Sequence, residues 1–576
     1  MLSTSSPAKA AFSWKALLWA LLFVCYFSSV LQVAIIITGY SGSVGLRDSL
    51  LFSSLWLIPL LLFPRRIRTT AAIIGVILWL PSLAALGYYV IYGQEFSQSV
   101  LYVMFESNTS EASEFLSQYF SLKLVLVALG YTAVAIFLWT RLRPVTVPTP
   151  WRWLVCVAIL YGLIVNPIAH KVLMQKKSVK RALISLSGRL EPAAPWQFVS
   201  GYVEYRHQLA SLTKLLSSNN ALPPLANLQD SSGSAPRTLV LVIGESTQRN
   251  HMSLYGYPRE TTPELDKMHK TDKNLTVFNH VVTSRPYTIE ILQQALTFAD
   301  EKNPDLYLTK PSLMNLMKQA GYKTFWITNQ QTMTERNTML TVFSQQTDKQ
   351  FYMNQQRTQS AREYDTNVLE PFKKVLADPA PKKFIIVHLL GTHIKYAYRY
   401  PEQWNTFDGK TEGAPAGLSP EQLASYNAYD NANHFNDHVL ASLINDYKAT
   451  DPNGFLLYFS DHGEEVYDTP PHNIQGRNEE APTRHMYTIP FILWTSPSWQ
   501  ETHPRDLAAD VDRKYSSSQL IHTWSDLAGL RYDGFDPTRS ITSPQFVQAT
   551  RWIGNPYKKN ALHDYDALPL DVQLSN

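Results

Sequence analysis

The sequence predicts an N-terminal bundle of membrane-spanning helices followed by a soluble α/β domain with an open, largely parallel sheet. Three observations carry this. The first 170 residues hold only 15 Asp, Glu, Lys and Arg, whereas the other 406 hold 83, a normal globular share. Apolar runs able to cross ~30 Å of hydrocarbon are confined to that first part. From Arg237 onward, short apolar runs alternate with helical stretches, the pattern of βα units. The mean hydropathy of -0.15 averages over both parts and hides the split. A net charge of +4 is too small for a protein built around a basic nucleic-acid surface. Both cysteines, Cys25 and Cys156, lie in the apolar part, which excludes a disulfide-stapled exterior.

No charge interrupts Ala16–Tyr40, and no small-residue cleavage site follows at a fitting distance, so this run is an anchor rather than a removed signal. Four more segments follow, at about Leu50–Phe63, Ala71–Gly93, Leu124–Thr140 and Trp153–Ala169. The second is short and contains Pro59. The third contains Pro81, which a bundle tolerates when neighbours satisfy the freed carbonyl. Orientation follows from the loops. Lys9, Lys15, Arg65, Arg66, Arg68, Arg141, Arg143 and Arg152 flank alternate ends, and the intervening loop 94–121 is acidic. Basic loops stay cytoplasmic, so the N-terminus is inside and five spans put residues 171–576 outside. Lys171, Lys176, Lys177, Lys180 and Arg181 stand against that rule. The expected division is a transmembrane domain over 1–170, a helical connector over 171–235 and a catalytic domain over 236–576.

The strand-like runs of the soluble part are TLVLVIGES, YKTFWIT, KFIIVHLLGTH, GFLLYFSDHGEE and YTIPFILWT. Continuous apolar runs suit strands buried on both faces, and open α/β sheets bind ligands beyond the carboxyl ends of their strands. Three of these runs end in residues fit for metal or phosphate chemistry: Glu245, then Asp461 and His462, then His393. Two carboxylates and an imidazole with a position left open make a zinc-type site. Gly463 lets the chain turn behind the Asp-His pair. A metal with an open position needs a nucleophile, and the loop before the helical run TIEILQQALTF offers Thr288, with Thr283 and Ser284 as rivals. Thr288 would sit at a helix start that favours phosphate, where it also fits as a plain helix cap. His388, mid-strand, reads as a packed histidine. His434 and His438 lie among polar residues and read as a solvated helix face.

The runs VIGESTQRNHMSLYGYPRETTPEL, TSRPYTIEILQQALTFA, VHLLGTHIKYAYRYP and YFSDHGEEVYDTPPH, after a five-span bundle, resemble the phosphoethanolamine transferases over essentially the whole chain. The likeness is greatest to the enterobacterial branch that modifies the lipopolysaccharide core. It implies an N-terminal α-helical transmembrane bundle plus a C-terminal α/β alkaline phosphatase/sulfatase-like domain, set in the bacterial inner membrane with the catalytic domain in the periplasm. By motif, Glu245, Thr288, Asp461 and His462 correspond to the zinc ligands, with Thr288 also the nucleophile. His393 and His472 correspond to histidines that contact the transferred phosphate or a second zinc bound during turnover. Asn329 falls near a head-group position, although the lysine expected a few residues later is missing. Ser284 and Gln294 stand where lipid A-modifying relatives carry flanking cysteines, which predicts a more mobile nucleophile loop.

The implied reaction moves phosphoethanolamine from phosphatidylethanolamine to Thr288 and then to an acceptor, with Zn²⁺ neutralising phosphate charge. A core heptose of lipopolysaccharide is the expected acceptor; lipid A and periplasmic glucans are alternatives, as are a superfamily hydrolase and a non-catalytic membrane scaffold. The expected partners are therefore lipids, with no nucleic acid. Ser107, Asn108 and Glu111 in the acidic loop are candidates to receive the ethanolamine cation, or else they cap a surface helix.

Overall fold

The computed structural model describes residues 13–37, 43–92, 101, 104–105, 121–175, 179–217, 224–330, 339–354 and 364–569. The chain forms two compact units, Met1–Phe105 with Tyr119–His207 and Glu106–Gln118 with Gln208–Asn576. The division falls inside the segment expected to be a connector. Helix Val179–Leu190 lies in the first unit, and helix Trp196–Ser217 crosses the division.

Among the described residues, five helices are long and apolar enough to cross a membrane: α1 (Trp14–Ile37), α2 (Val44–Leu62), α3 (Pro64–Ile91), α4 (Leu122–Arg141) and α5 (Thr149–Met174). Residues three and four apart share a helix face. Ala16, Ala20, Phe23, Val24 and Phe27 of α1 therefore make one stripe, buried in a cluster with Leu60, Ala71, Leu78 and Tyr131. The Tyr131 hydroxyl donates to the Phe27 carbonyl at 2.9 Å, and the Tyr26 hydroxyl to the Tyr131 carbonyl at 2.8 Å. The second span differs from expectation. It starts at Val44 rather than about Leu50, and its 19 residues reach roughly 28 Å. Arg47 and Asp48 concealed its first turns in the sequence. In the fold, Asp48 is buried and accepts from Arg47 Nε at 3.0 Å and Arg189 Nη2 at 3.3 Å.

The second unit is built on a seven-stranded sheet: β1 (Arg237–Gly244), β2 (Leu275–Val277), β3 (Lys323–Thr328), β4 (Lys349–Tyr352), β5 (Lys382–His388), β6 (Phe455–Ser460) and β7 (Phe491–Thr495), in the order β2-β7-β6-β1-β5-β3-β4. Alternate residues face opposite sides of a strand. Leu239, Leu241 and Ile243 thus enter one core with Phe384, Ile386, Leu457 and Phe459. Val240 and Val242 enter the other with Ile385, Val387, Leu456 and Tyr458. Burial on both faces is why these strands read as unbroken apolar runs.

β1, β3, β4, β5 and β6 are mutually parallel, so β1, β5 and β6 deliver Glu245, His393 and Asp461-His462 beyond the same ends of the sheet. β7, expected to be parallel, runs antiparallel to both β2 and β6. The excursion 461–490 leaves β6 and re-enters the sheet from that same side, so the returning strand must run back. On the face of the second core lies helix Pro420–Lys448, started by a capping box of Ser419 and Gln422 with Pro420 in its first turn.

The β5 loop rides directly on the backbone of Glu245. Thr392 N donates to the Glu245 carbonyl at 3.0 Å, and Gly391 adopts φ +54 where a Cβ would lie 2.7 Å from that oxygen. Gly391→Ala is therefore expected to lower full-length stability by about 1–3 kcal/mol and to reduce turnover. Thermal melting beside activity measurement checks this; a variant equal to wild type in both would contradict the close approach.

Candidate active site

Glu245 is the first residue past β1, and the turn behind it is strained: Ser246 takes φ +57, which a non-glycine residue holds only under constraint. That constraint is visible. Ser246 N donates to Asp461 Oδ1 at 3.0 Å, Thr247 N to Ser460 Oγ at 2.9 Å, and the Tyr429 hydroxyl to the Ser246 carbonyl at 2.6 Å. Asp461 Oδ1 also accepts from His462 N at 2.7 Å, which aims Oδ2 at His462 Nε2, 3.2 Å away. His462 Nδ1 donates to the Gly463 carbonyl at 2.9 Å, so Nε2 is the ligand nitrogen. Gly463 is needed for closeness rather than for a sharp turn, because a Cβ there would lie 2.1 Å from the His485 carbonyl.

Thr288 opens the helix Thr288–Ala295. Its hydroxyl lies 3.1 Å from Glu245 Oε2 and 3.4 Å from His462 Nε2, so it faces the cluster instead of capping its own helix. The rival hydroxyls are otherwise engaged. Thr283 donates to the Arg285 carbonyl at 3.1 Å, and Ser284 donates to Gln294. That Ser284–Gln294 bond joins the two positions where cysteines were expected in relatives. Both side chains are buried, and a hydrogen bond stands where a cross-link would be.

The donor atoms of Glu245, Asp461 and His462 lie within 4.8 Å of one another, all buried. Burial alone would raise the Glu245 carboxyl, but His462, His393 and Arg477 outweigh it and hold it well below the usual range. Burial and the Glu245 charge push Asp461 well above its range. Burial lifts Glu464 to about 7. If all three acids ionise, Arg477 leaves two negative charges uncompensated among the described groups around the site. Two oxygens, a nitrogen and a hydroxyl around that excess are a donor set fit for a divalent cation.

Arg477 and Gln330 are site residues that sequence reasoning missed. Arg477 contacts His462 Nε2 and lies 3.8 Å from Glu245 Oε1 and 3.2 Å from Glu464 Oε2. Gln330 Nε2 donates to Glu245 Oε2 at 3.2 Å and to the Leu389 carbonyl at 2.9 Å. Neither stands in a motif whose spacing points to the site. Two residues on, the buried carboxylate of Glu479 pairs with Arg285 ahead of Thr288, 3.2 Å from Nη2.

The other predicted residues stand apart from this hydrogen-bonded cluster. Burial drives His393 down to about 3, and its Nδ1 has no hydrogen-bond partner among the described residues. His472 takes φ +60, with Nδ1 donating to the Tyr467 carbonyl at 2.7 Å. Asn329 is fully buried and donates to Asp365 at 2.9 Å. Asp365 in turn accepts from the backbones of Leu390 and Gly391, so Asn329 supports the β5 loop. Ser107, Asn108 and Glu111 lie outside the described residues. His388 is packed edge-on to Trp326, with ring centroids 6.0 Å apart. His434 and His438 flank Trp404 instead of forming a ligand pair.

The comparisons with known proteins bear on this arrangement. Residues 237–530 match the Sulfatase family model. Over all 576 residues, and all of each relative, the chain is 74% identical to phosphoethanolamine transferase EptC of Escherichia coli (strain K12) and 76% identical to phosphoethanolamine transferase CptA of Salmonella typhimurium. The chain belongs to the phosphoethanolamine transferases of the sulfatase family. A crystal structure of the E. coli EptC periplasmic domain in complex with Zn matches at TM-score 0.60 and 80% identity, over 61% of this chain and 98% of that one. The integral membrane lipooligosaccharide phosphoethanolamine transferase A of Neisseria meningitidis shares the fold over 92% of this chain and 98% of its own, at TM-score 0.65 and 16% identity.

Behind the transferase site lies a buried staple. His251 Nδ1 lies 2.6 Å from Asp430 and Nε2 2.9 Å from Asp468, linking the long helix to the loop that carries His472. Burial would lower this imidazole, but the Asp468 and Asp430 charges raise it to about 10. A raised value means that its stabilisation is complete below about 6.5 and is lost as pH climbs through about 10. His251→Asn is expected to lose about 3–5 kcal/mol at pH 7 by leaving the buried Asp468 without its ion-pair partner, while Asp430 keeps Arg259, and to melt with a flatter pH dependence than wild type over that window. Parallel slopes for the two proteins would refute the staple.

Proposed function

We propose that this transferase takes phosphoethanolamine from phosphatidylethanolamine and delivers it, through a Thr288-bound intermediate, to the lipopolysaccharide core, with a heptose as acceptor. The carrying observation is the Thr288 hydroxyl at 3.1 Å from Glu245 and 3.4 Å from His462, at a helix N-terminus. Five apolar spans support a membrane location, read here as the inner membrane, and the basic loops support a periplasmic catalytic unit.

Glu245, Asp461, His462 and Thr288 would hold zinc. When bound there, zinc lowers the pKa of a coordinated hydroxyl and neutralises phosphate charge. Thr288 Oγ attacks the phosphorus, the P–O bond to glycerol breaks, and diacylglycerol leaves with the proton. The acceptor hydroxyl then attacks the same phosphorus and restores Thr288. Helix N–H groups and Arg477 stabilise negative charge on the non-bridging oxygens. His393, neutral when buried, and His472 handle protons or contact the phosphate; Asn329 positions the loop bearing His393.

Thr288→Ala is expected to cut diacylglycerol release from fluorescent phosphatidylethanolamine by roughly 10³-fold or more, while melting like wild type. Full turnover in that variant refutes the nucleophile assignment, and free phosphoethanolamine as the sole product would make the enzyme a hydrolase. Chelation should abolish transfer and zinc should restore it. Mass spectrometry of lipopolysaccharide from a deletion strain tests the acceptor: a phosphoethanolamine increment should vanish from the core fragment, and its loss from lipid A would overturn the core assignment.

A further inference from the structure

The bundle carries a charge cluster that the transfer reaction does not use. Asp48, at 3% exposure, lies in the first turns of α2, and its Oδ1 is shared by Arg47 and Arg189 at 3.0 and 3.3 Å. The guanidinium of Arg189 also covers the Phe52 ring, 5.4 Å from its centroid. One buried acid thus orients two arginines that remain reachable, with side-chain exposures of 58% for Arg47 and 36% for Arg189. A staple between α2 and helix Val179–Leu190 would need only one arginine. Among the described groups paired with Asp48, the second leaves one positive charge uncompensated.

Its location restricts what can answer that charge. The far end of α2 leads into Arg65, Arg66 and Arg68, and the Arg68 carbonyl accepts from Trp139 Nε1 of α4 at 2.9 Å, close to Arg141. The Arg47–Arg189 pair therefore sits at the opposite end of the bundle, where basic residues are disfavoured. Arg47 lies within a turn of the start of its helix, which is headgroup depth for a membrane span. Helix Val179–Leu190 buries Ala182 and Leu186 but exposes Val179 and Leu183, the amphipathic pattern of an element lying at a bilayer surface.

We propose that Arg47 and Arg189, oriented by Asp48, bind the phosphate of a membrane lipid at this end of the bundle. Guanidinium forks match phosphate oxygens in charge and in paired hydrogen-bond geometry. The phosphate is that of a glycerophospholipid or of the lipid A portion of lipopolysaccharide, and this site is separate from the zinc-type cluster.

The test is native mass spectrometry of the full-length protein in detergent, titrated with phosphatidylethanolamine, phosphatidylglycerol, purified lipid A or phosphate-free diacylglycerol. Wild type should retain one phosphate-bearing lipid and discard diacylglycerol. Arg47→Gln/Arg189→Gln should weaken that binding about tenfold or more, whereas Arg141→Gln, which removes a charge from the opposite end, should bind like wild type. Preference for glycerophospholipid or for lipid A identifies the source. Equal retention by the double variant, or diacylglycerol binding as tight as phospholipid, overturns the proposal. Should the double variant melt lower than wild type, the single Arg47→Gln leaves Asp48–Arg189 intact and should weaken binding about threefold; unchanged binding there also overturns it.

Discussion

The catalytic unit is organised around two carboxylates that the fold forces together out of water. Glu245 and Asp461 follow neighbouring parallel strands, and both side chains are buried. An ionised carboxylate in such surroundings is costly unless it is paired. Much of the nearby structure responds to that problem. Backbone N–H groups of Ser246 and His462 converge on Asp461 Oδ1, and Gln330 and Thr288 lie at Glu245 Oε2. These hydrogen bonds orient the oxygens but supply no net charge. Arg477 supplies one positive charge, so Glu245, Asp461 and Glu464 can all ionise only when a cation enters.

The charges farther out serve a different end. Arg285 with Glu479, and His251 and Arg259 with Asp430 and Asp468, are buried ion pairs that balance themselves. Buried pairs add little stability compared with well-packed apolar groups, yet breaking one is expensive. They suit the task of fixing one arrangement. Arg285 fixes the approach to Thr288, and His251 fixes the loop bearing His472. Ser284–Gln294 adds a neutral tie within the nucleophile segment. The Thr288 hydroxyl and His472 imidazole, proposed to move protons, thus sit at a helix start and on a loop, each with few alternatives.

Sequence revealed what depends on local pattern. The β1, β5 and β6 runs were legible because burial on both faces leaves them almost wholly apolar, with His388 the exception in β5, and each run ended at a chemical residue. Thr288 was legible as a helix start; its choice over Thr283 and Ser284 came from the family motif, and their tertiary partners supply the physical reason. Arg477 was invisible because it reaches the site from a loop with no periodic signature. The direction of β7 depended on where the 461–490 excursion returns, which apolar content does not encode. The early turns of α2 were missed for a related reason: Arg47 and Asp48 look like a boundary unless their mutual pairing is known.

That last miss links the two units, because each buries an acid and answers it with arginine, and the imbalance differs in sign. Around Glu245 and Asp461 the acids outnumber the single guanidinium, so the surplus is negative and the surrounding donors are oxygens and an imidazole. Around Asp48 the arginines outnumber the acid, so the surplus is positive and the groups on offer are N–H donors. A self-contained structural network would tend toward neutrality, as Arg285–Glu479 and the His251–Arg259–Asp430–Asp468 group do. Residual charge held in a rigid, hydrogen-bonded frame persists at the expense of stability, and the ligand best able to relieve it carries the opposite sign: a metal cation at the strand ends, a lipid phosphate at the end of the bundle.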